Sequence, residues 1–197
     1  MMKIYEKQRQ CEYNWITHNC INFTNPNNGK TTNVAKELYG KLIIKDDTSI
    51  RDNAFFGCTE LTSVTISESV TSIGESAFFE CSSLTEITIP ESVTSIGGYA
   101  FCGCKSLKSV TIQGSIKTIS NGAFYECVLL TSIEIVYNQS LTLNGAYVFH
   151  KVPDTCKITI KYIKDKEPTD EEKTIYVNKF ENAGYKGSFN WSLITPS

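Results

Sequence analysis

The sequence has no apolar run long enough to cross a membrane and no large excess of charge of either sign. Its apolar stretches are shorter than the roughly 18 or more residues of a transmembrane helix, so we expect no membrane insertion. The formal net charge is −2 and the isoelectric point is about 5.8, so the chain lacks the basic surface typical of nucleic-acid-binding proteins. We therefore expect no nucleic-acid partner.

The first residues also lack the apolar core of a secretory signal. We expect the chain either to stay inside the cell or to leave it as part of a larger particle, unless its leader has been replaced. The location of the protein stays open on this pattern.

Histidine is scarce, since His18 and His150 are the only two. His18 lies two residues before Cys20, which is not the spacing of zinc ligands, and Cys102 is separated from Cys104 by one residue only. The glycines form no phosphate-binding motif. The sequence therefore predicts no catalytic residues, no metal site and no cofactor.

What the sequence does contain is a repeat with a period of 23. Four residue types recur at this interval: Ala54, Ala77, Ala100 and Ala123; Phe55, Phe78, Phe101 and Phe124; Cys58, Cys81, Cys104 and Cys127; Leu61, Leu84, Leu107 and Leu130. A fixed period of roughly 20 to 50 residues indicates a solenoid, in which each unit buries its apolar face against its neighbours.

Each repeat contains two kinds of local pattern. In the second unit, Ala77 and Phe78 begin an apolar face with helical spacing, which predicts a short helical turn. Ile87 and Ile89 then alternate with polar residues, which predicts a half-buried strand. A second extended segment follows at 93–96, so one repeat makes one coil with two strands.

Four of the eight cysteines hold equivalent positions in the repeat, so their side chains point the same way into the core. We predict a ladder of reduced thiols that pack as small apolar groups, with successive rungs one strand spacing, ~4.8 Å, apart. Cys11 and Cys20 are the one pair that we consider for a disulfide.

The repeated motif Ile-x3-Ala-Phe-x2-Cys-x2-Leu-x2-Val-x-Ile-Pro-x-Ser-Val closely resembles the BspA-like class of leucine-rich repeats. This class is known from bacterial surface proteins, some protozoan surface proteins and phage-encoded proteins. Of the four units, only the one with Pro90 keeps the proline. The resemblance implies a β-rich solenoid, a right-handed leucine-rich repeat coil with short helical turns and a cap at both ends.

We divide the chain into an N-terminal segment at 1–37, the solenoid at 38–162 and a C-terminal capping segment at 163–197. Residues 1–33 match nothing in the repeat. They form either a cap over the first coil or an arm that docks on another protein.

The repeat becomes irregular toward its C-terminal end. Ala146 is in register with Ala123, but Tyr147 stands in place of Phe and His150 in place of Cys. These replacements are typical of a terminal repeat, whose outer face meets solvent.

Two interpretations compete for the next segment. It resembles the closing segment of such proteins, in which a short strand, here at 174–177, and a tryptophan seal the last coil. Alternatively, Thr169 is the N-cap of a helix, Glu172 completes a capping box and Gly184 ends it. We favour the strand because its residues are β-branched or aromatic.

The first candidate binding surface is the polar face of the main strands. It consists of Ser63, Thr65, Glu86, Thr88, Ser109, Thr111, Ser132 and Glu134, and it continues to Lys157 and Thr159. In leucine-rich repeats this is the usual recognition surface. The alternative is a solvated sheet face whose Ser and Thr residues only favour strand formation.

The second candidate surface is an aromatic row on the convex side, formed by the residues that follow the core Phe of each repeat. These are Phe56, Phe79 and Tyr125, with Cys102 between them. If exposed, they form a contact stripe. Alternatively, each ring packs against the neighbouring turn.

The sequence thus predicts a non-catalytic recognition or attachment module, similar to the adhesins of the family. Its partner is another protein, either a host surface protein or a particle component. The alternative is a structural or host-recognition component of a phage virion or a similar particle.

Overall fold

The computed structural model describes residues 20–24, 31–35, 40–44, 48–114, 116–163 and 166–194. The strands of these residues are β1 (Cys20–Thr24), β2 (Thr31–Ala35), β3 (Gly40–Ile44), β4 (Leu61–Ile66), β5 (Ser72–Ile73), β6 (Glu86–Ile89), β7 (Ser95–Ile96), β8 (Ser109–Ile112), β9 (Thr118–Ile119), β10 (Ser132–Val136), β11 (Thr142–Leu143), β12 (Lys157–Tyr162) and β13 (Ser188–Leu193). A helix, α1 (Asp170–Asn182), lies between β12 and β13.

The strands of the coils form two parallel sheets along the solenoid. The large sheet has the order β13-β12-β10-β8-β6-β4-β3, and the small sheet has the order β11-β9-β7-β5. In the regular coils each strand pairs with the strand of the next repeat, so that Ile87 lies beside Val110 and Val110 beside Ile133. Ahead of these coils, β1 and β2 form an antiparallel hairpin. The parallel β-solenoid confirms the predicted fold class.

Tight turns connect the small sheet to the large sheet within each coil. The Cys81 N–H closes one such turn on the carbonyl of Phe78 at 3.2 Å, and the Phe78 N–H bonds to Ala100 of the next coil at 2.7 Å. Glu80 and Gly103 hold equivalent places with φ of 54° and 71°, the left-handed region that glycine adopts without strain. In place of the predicted short helical turn, each repeat has tight turns that are hydrogen-bonded to the turns of the next coil.

The core Phe residues form a stacked ladder through the centre of the solenoid. Successive ring centroids from Phe55 to Phe149 lie 5.1, 5.2, 5.4 and 5.8 Å apart, with planes within 15° of parallel. Such stacking adds about 0.5–1.5 kcal/mol per pair beyond the burial of the rings. Each coil thus relies on the coil beside it.

The cysteine ladder has a hydrogen-bonding role that the sequence pattern did not reveal. Each thiol of the inner rungs donates to the Phe carbonyl oxygen of the previous coil: Cys81 to Phe55 at 3.1 Å, Cys104 to Phe78 at 3.2 Å and Cys127 to Phe101 at 3.2 Å. Burial raises the pKa of all three thiols. The six cysteines with described side chains form no disulfide, in agreement with the predicted reduced ladder.

The last coil departs from the predicted register. The ring of Phe149 stacks on Phe124 at 5.8 Å, and the Phe124 N–H bonds to the carbonyl of Val148 at 2.9 Å. Phe149 lies two residues beyond the position that the repeat interval gives. One extra residue lies before β11, since Thr142 pairs with Thr118 one residue out of the interval, and the other lies between β11 and Phe149. The assignment of Tyr147 and His150 to the Phe and Cys positions is therefore wrong.

The segment after β12 folds as the rival interpretation predicts. Thr169 caps α1 by accepting the Glu172 N–H at 3.2 Å, and the Glu172 carboxylate accepts the Thr169 N–H at 2.8 Å. The helix ends at Asn182, just before Gly184. The strand predicted at 174–177 is wrong.

The helix forms because its inner face completes the core. Tyr176 and Phe180 are one helical turn apart and both are buried. Phe180 stacks on Phe149 at 5.6 Å and so adds a last ring to the ladder. The carbonyl of Ala183 accepts the Phe149 N–H at 3.1 Å, as the next coil does elsewhere. Trp191 of β13 packs beside Tyr176.

Some predictions fall on residues outside this description. The choice between a cap and a docking arm for residues 1–33 and the pairing of Cys11 with Cys20 rest on residues 1–19 and on side chains that the structure does not describe. The boundaries at 37 and 162 stay predictions.

Candidate functional site

The polar face of the large sheet is built by strand alternation. In β6, the buried Ile87 and Ile89 alternate with the exposed Glu86 and Thr88, since successive side chains of a strand point to opposite sides. The pairing register brings the predicted residues into two straight rows: Ser63, Glu86, Ser109, Ser132 and Lys157; and Thr88, Thr111, Glu134 and Thr159. β13, which was not predicted to take part, extends the two rows with Ser188 and Asn190. Thr65 is exposed on β4, two residues after Ser63.

These rows form one continuous surface across the sheet. The rows cross six strands, which at a spacing of ~4.8 Å span about 24 Å. This width covers part of a standard protein interface. Because the opposite side of each strand is packed in the core, the backbone that carries the polar side chains is rigid. The face offers mainly hydroxyl groups, which donate and accept hydrogen bonds.

The few charges on this face are unevenly placed. Glu86 is exposed on β6, whereas Lys157 and Lys161 lie on β12. Glu134 of β10 forms an ion pair with Lys161 at 2.5 Å. Glu86 is therefore the acidic residue of the face outside the ion pair, and the basic residues Lys157 and Lys161 lie at the last coil.

The rings of the convex aromatic row stack in pairs, and the predicted Phe56, Phe79 and Tyr125 are half-buried. Phe56 lies on Phe79 with centroids 4.7 Å apart and planes 9° from parallel. Tyr125 lies on His150 at 5.5 Å, and the buried Cys102 separates the two pairs. This geometry favours the alternative in which each ring packs against the neighbouring turn. His150 was missed as a member of the row because the sequence register is shifted there by two residues.

An ion pair lies beside the second pair of rings, with Lys151 over the ring of Tyr125. Lys151 Nζ lies 2.6 Å from Glu126 Oε1 and 5.2 Å from the centre of the Tyr125 ring. The hydrogen bond to Glu126 raises the pKa of Lys151, and the same bond lowers the pKa of Glu126. This part of the row is thus a polar cluster on the surface.

A groove of about 610 Å³ lies at the carboxyl ends of the large-sheet strands, and the sequence did not predict it. Tyr137 and Tyr162 line it on the sheet side, and Glu167 and Pro168 line it ahead of α1. The Tyr162 hydroxyl donates to Glu167 Oε1 at 3.2 Å. Partial burial, with the nearby charge of Glu172, raises the pKa of Tyr137.

The sequence signal for this groove is weak. Tyr137 follows β10, at a place where the regular coils have small or charged residues such as Glu91. One wall comes from the segment that leads into α1, so the groove cannot be inferred while that segment is taken as a strand.

Two further observations limit the chemistry of the described residues. Among them, no three His, Cys, Asp or Glu side chains group in a way that could hold a metal ion. The part of the chain that the structure describes also holds no helix with the length and hydropathy of a membrane span.

The sequence pattern matches a family model described as the BspA type leucine-rich repeat region, with six copies over residues 48–182. No curated protein matches the chain. A solved structure of a leucine-rich repeat protein from T. pallidum is similar in fold, with a TM-score of 0.57 and 17% sequence identity over 88% of this chain and 82% of that one.

Two further solved structures are more distant. A leucine-rich cell surface protein from Faecalibacterium prausnitzii is 18% identical, with a TM-score of 0.37 over 80% of this chain and 62% of that one. A leucine-rich repeat protein from Bacteroides ovatus is 20% identical, with a TM-score of 0.27 over 92% of this chain and 67% of that one.

Proposed function

The chain belongs to the BspA-type leucine-rich repeat family, and on this premise we propose that it is a non-catalytic module that binds another protein through the polar face of the large sheet. Members of this family and related leucine-rich repeat proteins are typically non-enzymatic binding modules. The proposal concerns the face made by Ser63, Thr65, Glu86, Thr88, Ser109, Thr111, Ser132 and Glu134.

The observation that carries the proposal is the alignment of these side chains in straight rows on a rigid frame. Thr88 lies beside Thr111, which lies beside Glu134. Along each strand, the residues before and after these point into the core. A preformed surface of this kind loses little conformational entropy when a partner binds. The partner needs hydrogen-bonding groups that match the rows of hydroxyls.

The finer form of the proposal is attachment, as in an adhesin. The alternative, a structural or host-recognition component of a virion or similar particle, uses the same surface. Quantitative mass spectrometry of purified cell envelopes and purified particles separates the two, because the attachment role requires the protein in the envelope and the particle role requires it in the particles.

The binding proposal is tested with Thr111→Arg at the centre of the face. The immobilised chain is first screened by surface plasmon resonance against a panel of purified cell-surface and particle proteins. For a partner found in this way, we expect Thr111→Arg to weaken binding by about tenfold or more, because the long charged side chain disrupts the close fit at the centre of an interface.

The matched control is Thr94→Arg. Thr94 is exposed just before β7, outside the polar face, and the equivalent residue of the next repeat is Lys117. Both variants replace a solvent-accessible threonine with arginine, and their thermal unfolding is compared with that of the parent chain. Equal loss of binding in the two variants, or no loss in Thr111→Arg, contradicts the proposal.

A further inference from the structure

The last strand, β13, is the edge of the large sheet. It pairs with β12 in register along all six residues, and no strand of the described residues lies on its other side. The N–H groups of Ser188 and Ile194 point toward β12, where they bond to Cys156 and Tyr162. In a parallel pair, alternate residues direct both backbone groups to the same side. The N–H and C=O groups of Phe189, Trp191 and Leu193 therefore point outward.

This edge lacks the features that keep strand edges from pairing with other chains. Natural edges are protected by charged residues, proline or bulges. The sequence of β13, Ser-Phe-Asn-Trp-Ser-Leu, contains no charge and no proline, and its register with β12 has no bulge. The ring centroids of Phe189 and Phe180 lie 5.9 Å apart, and those of Trp191 and Tyr176 lie 6.0 Å apart. The inner side of the strand is therefore packed against α1.

The strand is also nearly symmetric about Asn190. In both directions the sequence reads Ser, aromatic, Asn, aromatic, Ser. When two copies of the strand pair antiparallel about a two-fold axis at Asn190, Asn190 faces itself and Ser188 faces Ser192. Phe189 then lies opposite Trp191 of the second copy. Because these two residues carry the outward N–H and C=O groups, they exchange hydrogen bonds with each other.

We propose that two copies of this chain dimerise through antiparallel pairing of β13 about Asn190. The interface is isologous, since the same edge is used by both copies, and such two-fold dimers are the commonest oligomers. Pairing joins two seven-stranded sheets and covers the β13 edge of each copy. It leaves the polar face of each copy open, so this proposal goes beyond the binding function and does not depend on it.

Asn190→Cys tests the register directly. In the proposed dimer, residue 190 faces its own copy at a non-hydrogen-bonded position with Cα atoms about 4.5 Å apart, within the range that a disulfide spans. We expect a covalent dimer after mild oxidation, seen by non-reducing electrophoresis. Ser188→Cys is the control, because its own copy lies four residues along the strand, about 14 Å away. The parent chain, oxidised in parallel, accounts for its native thiols.

Asn190→Lys tests the association itself by sedimentation equilibrium. Two lysines then face each other, and we expect the dimer to weaken by about tenfold or more, because like charges placed opposite one another repel. Thr94→Lys adds the same charge at a place where the next repeat already has Lys117, and it should leave the dimer unchanged.

Each outcome decides the proposal. A dimeric parent chain, a covalent dimer of Asn190→Cys only and a weakened dimer of Asn190→Lys support it. A parent chain that sediments as a monomer up to high concentration overturns it. So does crosslinking of Ser188→Cys as efficient as that of Asn190→Cys, or a dimer that Asn190→Lys leaves intact, since the contact then lies elsewhere.

Discussion

The regular coils and the C-terminal end of this solenoid solve the same packing problem with different elements. Between Phe55 and Phe124, each ring meets the ring of a coil that keeps the repeat interval without change. At the end, Phe149 arrives two residues late, and the next ring, Phe180, comes from a helix. Both regions nevertheless give a stacked ring and a carbonyl acceptor to the coil before them.

The difference shows which part of the repeat is essential. Spacing along the chain is free to change at the end, because the two extra residues lie in connecting segments, one between β10 and β11 and the other between β11 and Phe149. The contacts are kept: Ala183 of the helix cap accepts the Phe149 N–H as Ala123 accepts the Phe101 N–H. The ladder of rings is therefore defined by the contacts that each ring and its N–H group make. The regular spacing along the chain is a consequence of these contacts.

Alkaline pH should cause the largest loss of stability, and the pH window of that loss should differ between the regular coils and the C-terminal end. Burial raises the pKa of Cys156, at the end, to about 11, and it raises the pKa of Cys104, in the middle, further above its usual value of 9.0. Because the folded state holds these protons more tightly than the unfolded state, the stability that these thiols contribute is fully present below pH 9 and is lost as the pH rises. Each thiol removes about 1.4 kcal/mol per pH unit.

The measurement is urea unfolding in reducing buffer at pH 8, 9, 10 and 11. Cys156→Ala should reduce the slope between pH 9 and about 11, the window set by its pKa. Cys104→Ala should reduce it over a window that extends to higher pH. A free energy of unfolding that stays constant from pH 8 to 11 contradicts this interpretation of the thiols.

Removal of one core ring should have the second-largest effect on the free energy of unfolding. Phe101→Ala deletes a fully buried ring with stacking partners on both sides, and we expect a loss of about 3–5 kcal/mol in the free energy of unfolding. Phe79→Ala, which removes the half-buried ring of the convex row, is the control and should cost less. Thermal and urea denaturation give both values.

The same change at the end should act locally. Phe180→Ala removes the last ring, and hydrogen exchange should show lost protection in α1 and β13 while β6 and β8 stay protected. This follows because solenoid units contact only their neighbours. If amides of β6 exchange as fast as those of α1, the end is not a separate unit and the comparison fails.

The smallest expected effect concerns the helix that replaces a coil. Thr169→Ala removes the capping-box acceptor for the Glu172 N–H and should cost about 1 kcal/mol. Thr169→Ser keeps the hydroxyl and should restore most of this loss. Equal stability of the Ala and Ser variants in urea denaturation would show that the cap does not stabilise the end.

The regular coils could be predicted from the sequence almost residue by residue. A period that places Ala, Phe, Cys and Leu together in four successive units specifies the pairing register, the core rows and the polar face. Ser109 and Thr111 face outward because Val110 and Ile112 face the core, and strand alternation allows no other arrangement.

The end could not be predicted in this way because local signals there disagree with tertiary packing. Ala146 sits by coincidence at the expected interval, which hides the insertion before Phe149. The β-branched run at 174–177 favours a strand, but burial of Tyr176 and Phe180 on one helical face outweighs that propensity. The groove beside Tyr137 depends on that helix, so it was hidden by the same error.

The constant pairing register also means that the length of the solenoid changes in fixed steps of one repeat. Because each regular coil bonds only to the coil before and the coil after it, a whole repeat unit can be duplicated or deleted without changing any contact type. Each such event lengthens or shortens the molecule by one strand spacing, ~4.8 Å. Gene duplication can thus set the distance between the two ends in fixed steps, while the ends themselves stay the same.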